Sequence, residues 1–85
     1  MENKIISVET IERPELNSVE TLYTFSNGYG VVASTEKGTN KWIVGILQNR
    51  VLVKNYKWKD MIFYDYDWSD VEDLVQKALV FTERF

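Results

Sequence analysis

An α+β domain is the fold this sequence predicts: an antiparallel meander of four to five strands packed against one C-terminal helix. Three observations carry that expectation. Residues 19–25 alternate strictly, with Val19, Thr21, Tyr23 and Phe25 on one side and Glu20, Leu22 and Thr24 on the other, and run directly into Asn27-Gly28. Period two returns near the end, where Ile62, Tyr64, Tyr66 and Trp68 share a parity opposite Asp65 and Asp67. The period then changes to 3.6, with Val71, Leu74, Val75, Ala78, Leu79 and Thr82 forming one helical stripe.

Ile5, Ile6, Val8 and Ile11 give a first strand within residues 1–12, ended by Arg13-Pro14-Glu15, because proline removes a ladder donor and biases the preceding residue away from helix. Asn27-Gly28 offers two residues tolerant of positive φ, which predicts a type I′ turn between the second and third strands. Gly30 marks a bulge or a close backbone approach in the return strand. Residues 36–40 read as a turn. Residues 41–47 are apolar on both parities, which fits a central strand, and residues 48–50 turn the chain into a further strand over 51–58. Ser69-x-x-Glu72 reads as the capping box of the helix. Asp70, Glu72 and Asp73 complement the positive end of its dipole, and Asp73 with Lys77 adds a favourable i, i+4 pair.

At 85 residues, with 45% hydrophobic and 14% aromatic content, the chain (1–85) reads as a single domain with one core. Its net stability should be roughly 4–13 kcal/mol. It has no cysteine and no histidine. That removes thiolate metal sites and disulfides, together with the side chain best suited to proton transfer near neutral pH. The longest apolar run, residues 43–47, is far too short to cross a bilayer. The expectation is a cytoplasmic protein with no membrane association, no cofactor and no metal.

Charge is distributed in three blocks. Residues 1–36 are net −4, residues 37–59 carry six cations and no acid, and residues 60–85 are net −5, which together give the net charge of −3. Such polarity points to binding rather than catalysis. One candidate surface is acidic and lies where the last strand meets the helix: Asp65, Asp67, Asp70, Glu72 and Asp73, a set suited to docking a basic surface of a partner protein. The other is basic and aromatic: Arg50, Lys54, Tyr56, Lys57, Trp58 and Lys59, with the composition of a single-strand nucleic-acid site. Parity argues against the second, since Tyr56 and Trp58 fall on the side of Leu52, expected to be core, and leave the lysines as edge protection. Asp65-x-Asp67-x-Ser69 resembles the start of a calcium loop, but position six is Asp70 and position twelve is Gln76, so the match fails. Ser26, Ser34, Thr35 and Ser69 fall in turn or cap contexts, and no nucleophile has a histidine partner. The protein reads as a non-enzyme.

Phe25-Ser26-Asn27-Gly28-Tyr29-Gly30-Val31-Val32, the strand of residues 42–47 and the acidic helix of residues 69–79 together resemble a group of small, mostly uncharacterised phage and prophage proteins. The likeness covers about residues 20–80 and leaves out the segment before Val19. It implies a phage-type gene product in the host cytoplasm that binds a host or viral protein stoichiometrically, for instance as an inhibitor of a nucleic-acid-processing or defence system. It brings no catalytic residues. A homodimer is a companion expectation, because a small antiparallel sheet must protect or pair its edges. The alternative function is a single-strand nucleic-acid-binding module using the basic aromatic strand 50–59.

Overall fold

The computed structural model describes residues 3–49, 51–52 and 62–84. It is an antiparallel sheet with one C-terminal helix on one face, the α+β architecture that the sequence predicts. The strands are β1 (Ile5–Arg13), β2 (Ser18–Phe25), β3 (Tyr29–Glu36), β4 (Trp42–Gln48), β5 (Val51–Leu52) and β6 (Ile62–Tyr66); the rest of the strand expected over 51–58 lies outside the described residues. The first four follow one another in space as a meander, and β5 and β6 share the far edge of β4. Residues 5–13 thus join the sheet, pairing β2 from Ile5↔Phe25 to Arg13↔Ser18 with a bulge between Ile5 and Ser7. Pro14–Leu16 forms a short 3-10 turn, as the proline anticipates.

The first hairpin is where expected, but its geometry differs. The Gly28 amide donates to the Phe25 carbonyl at 3.2 Å, so Ser26 and Asn27 are the central residues of the turn, and Gly28 follows at φ 88°. Asn27 is not left-handed. This is a three-residue loop closed by a glycine in the left-handed region rather than a two-residue type I′ turn. Asn27 serves it through its side chain, whose Oδ1 accepts from the Tyr29 amide at 3.0 Å. Gly30 is the close approach: a Cβ there would overlap the Tyr23 carbonyl oxygen on β2.

The core lies between the sheet and the helix α1 (Trp68–Phe81). Cross-strand rows Tyr23–Val31–Ile46 and Thr21–Ala33–Val44 place the buried Val31, Ala33, Val44 and Ile46 beneath Val71, Val75 and Ala78 of α1, with Phe25 closing one end. The stripe read from the sequence is the buried face, with Leu74 and Leu79 at its margins. The strand β4 is central, but its second face is not fully covered: Val44 is 0% exposed and Ile43 is 50%.

Two expectations about the strand–helix junction are overturned. β6 does not keep its parity. Trp42 pairs Tyr66 while Val44 pairs Phe63, so β6 has one residue more than β4 between those pairs, and Asp65 takes φ 60°. Aspartate tolerates this left-handed conformation better than most residues. The bulge turns both Phe63 and Tyr66 toward the core, with ring centroids 5.6 Å apart, and leaves Tyr64 63% exposed. The helix also begins earlier than expected. Asp67, not Ser69, is its N-cap.

Candidate functional site

At that N-cap the Asp67 Oδ1 accepts from the Asp70 amide at 3.0 Å and from the Ser69 hydroxyl at 2.9 Å, while the Asp67 amide donates to Asp70 Oδ2 at 3.2 Å. The capping box is therefore Asp67–Asp70, displaced by two residues from Ser69–Glu72. Both pairs have the required spacing, and the Asp65 bulge decides between them by ending the strand at Tyr66. Donation from the Asp70 amide, then from the Ser69 hydroxyl, holds the Asp67 carboxyl below its ordinary value.

The five acids of this junction do not act together. Asp65, Asp70 and Asp73 line a shallow recess of about 300 Å³ with Tyr64, Tyr66, Leu74 and Lys77. Asp70 is also half of the capping box. Glu72 lies on another flank of the helix, where it accepts from the Trp68 indole N–H at 2.7 Å, and the Trp68 ring packs against Trp42 at 4.8 Å. Burial, with the negative charge of Glu72 adding to it, pushes the Tyr23 hydroxyl above its ordinary value. Glu72 is thus held by Trp68, apart from the recess that Asp65, Asp70 and Asp73 share with Tyr64 and Tyr66.

One turn further along α1, Gln76, Lys77, Val80 and Phe81 line an open apolar depression of about 450 Å³. Val80 is 59% exposed and Phe81 42%. Lys77 borders both recesses, so an acidic patch and an apolar patch form one continuous surface. The sequence reading puts Tyr64 on the apolar parity of the last strand and assigns no surface role to Val80 or Phe81. The exposure of Tyr64 follows from the bulge, which no periodicity announces, whereas Val80 could be read as the residue opposite the Val71–Val75–Ala78 stripe.

The basic candidates Arg50, Lys54, Tyr56, Lys57, Trp58 and Lys59 lie outside the described residues. Of the remaining members of the basic block, Lys37 and Lys41 are exposed in the connection between β3 and β4, where Gly38 takes φ 88°. Trp42 packs against the core cluster. Among the described residues no group of three or more acidic side chains is placed to hold a metal ion, and no helix is long and apolar enough to cross a membrane.

Ser26, Thr35 and Thr82 have local partners. Ser26 Oγ donates to Asn3 Oδ1 at 2.8 Å and accepts from the Lys4 amide at 3.1 Å; Thr35 Oγ1 donates to the Lys41 carbonyl at 2.7 Å; Thr82 Oγ1 donates to the Ala78 carbonyl at 2.7 Å.

No family model, no curated protein and no solved structure matches this chain.

Proposed function

We propose that this is a non-enzymatic binding protein that acts by stoichiometric contact with another protein, in the phage-type setting that the hairpin and helix motifs imply, and that it docks through the outer side of β6 and α1. The observation that carries this reading is the surface joined at Lys77. Three carboxylates sit at one end of it and two exposed apolar side chains at the other, about two to three helical turns apart. A carboxylate recess beside an exposed aromatic fits a partner segment with basic and apolar side chains on one face, the aromatic serving as the anchor around which binding energy concentrates. The local structural partners of Ser26, Ser69, Thr35 and Thr82 favour binding over hydroxyl nucleophilic catalysis.

Affinity capture from bacterial lysate with matched baits tests the proposal. The wild-type chain should retain a partner in near one-to-one amounts, and Asp73→Lys and Val80→Asp, both at exposed positions, should each lose it while keeping the wild-type melting curve. Retention of the same partner by both variants would overturn the surface. Captured material that disappears on nuclease treatment, or on Lys57→Glu with Lys59→Glu, would replace the protein-partner reading with the nucleic-acid one.

A further inference from the structure

Asn27-Gly28 is the one Asn-Gly pair in the chain, and its chemistry reaches beyond the turn. Glycine has no side chain to shield its backbone nitrogen, so that nitrogen can approach the side-chain carbonyl of the asparagine before it. We propose that Asn27-Gly28 is a self-modifying site, a deamidation centre held in check by Thr82. The Gly28 nitrogen, losing its proton to solvent, bonds to Asn27 Cγ; the Cγ–Nδ2 bond breaks and ammonia leaves. The cyclic imide then takes up one water and opens at either carbonyl, giving aspartate or isoaspartate with no redox change.

The geometry both prepares the reaction and blocks it. The Tyr29 amide donates to Asn27 Oδ1 at 3.0 Å, which places a donor on the oxygen that becomes negative during attack. Opposing this, Asn27 Nδ2 donates to Thr82 Oγ1 at 3.1 Å and fixes the plane of the amide. Thr82 is 2% exposed, and its hydroxyl proton is committed to the Ala78 carbonyl at 2.7 Å, so its oxygen faces Asn27 as an acceptor. The attacking nitrogen is engaged too, through the 3.2 Å bond from Gly28 to Phe25. Both polar atoms of the Asn27 amide are thus held, Oδ1 by the Tyr29 amide and Nδ2 by Thr82, which restrains the side chain's rotation. Reaction would be irreversible for the latch, since a carboxylate at position 27 has no proton with which to donate to Thr82 Oγ1.

Purified full-length protein aged at mildly alkaline pH, read by intact mass and by the appearance of isoaspartate in the peptide carrying position 27, tests this. The native chain should deamidate more slowly than a synthetic peptide covering residues 24–31, and urea at a denaturing concentration should bring it to the peptide's rate. Thr82→Val should react about tenfold faster than wild type, the scale of one lost hydrogen bond, and Thr82→Ser, which keeps the acceptor, should match wild type. Thr82→Ala gives the same reading should the valine variant not fold, folding being checked by circular dichroism. A native chain as fast as the peptide, or a folded Thr82→Val or Thr82→Ala no faster than Thr82→Ser, would overturn the proposal.

Discussion

Replacing Gly30 with alanine is expected to cost this fold more than its single methyl suggests. An ideal Cβ at Gly30 lands on the Tyr23 carbonyl oxygen, far inside the roughly 3.3 Å at which carbon and carbonyl oxygen normally touch, with the Tyr23 carbonyl carbon at 3.4 Å and Thr24 Cα at 3.6 Å behind it. All three atoms are backbone, so no side chain can rotate away. β2 cannot retreat either, because β1 holds its other edge along the register from Ile5↔Phe25 to Arg13↔Ser18. With a backbone atom as the obstacle, overpacking falls at the upper end of its usual range, about 3 kcal/mol, and the stiffer unfolded chain returns about 0.4–1 kcal/mol, leaving a net loss of about 2 kcal/mol. For a domain of this size that lowers Tm by roughly 8–16 °C. Thermal melts by circular dichroism and urea titration should show a reduced midpoint with an unchanged m-value. Gly38→Ala is the control. It shares φ 88° with Gly28 but has nothing within 4 Å of the new methyl, so it should lose only the left-handed strain of about 1 kcal/mol. A Gly30→Ala curve that superimposes on wild type, or a Gly38→Ala loss as large as that of Gly30→Ala, would refute the reasoning.

The junction yields three further expectations, and Tyr23 on β2 a fourth. Asp65→Ala should destabilise by about 1 kcal/mol through its φ of 60°, while Asp65→Gly should retain wild-type stability, since glycine carries no left-handed penalty; equal melting of the two would remove the bulge from the account. Asp67→Ala should lower Tm more than Ser69→Ala, because Asp67 is the cap, and the reverse order in parallel melts would restore the Ser69 box. The Asp67 carboxyl is held below its ordinary value in the fold, so its contribution is present above the unfolded carboxylate pKa and is lost as pH falls through the depressed one; Asp67→Asn should flatten the acid limb of the stability–pH curve. The Tyr23 hydroxyl is held above its ordinary value, so its contribution is present below the unfolded phenol pKa near 10 and is lost as pH rises through the folded one; Tyr23→Phe should move alkaline unfolding to higher pH in a spectroscopic titration.

How far the sequence spoke depended on whether a signal was periodic or conformational. The α1 stripe was legible because Val71, Val75 and Ala78 repeat at the helical period, and all three are buried. The Asn27-Gly28 hairpin was legible in place but not in type, since Ser26 made a three-residue loop available and Asn27 was worth more as a side-chain acceptor than as a left-handed residue. β6 was misread because Ile62, Tyr64, Tyr66 and Trp68 alternate flawlessly until Asp65 takes a left-handed turn that periodicity does not record. The helix cap moved with it: two acid-bearing boxes overlap at residues 67–72, and only the end of the strand selects one. The candidate acidic surface was half legible. Asp65, Asp70 and Asp73 share a recess, and Glu72 went to Trp68 because the helix separates positions two residues apart by more than half a turn.

The bonds around Asn3 also close the chain into a ring. Asn3 Nδ2 reaches the Leu79 carbonyl at 2.9 Å, its amide reaches Glu83 Oε1 at 3.0 Å, and its Oδ1 receives Ser26 and Asn27. Whatever is fused before residue 3 or after residue 83 therefore departs from one pole of the molecule. Joining those two ends by a short linker and opening the chain at Gly38, in a turn on the opposite end of β3 from the first hairpin, would rewrite the order of the elements without moving a strand.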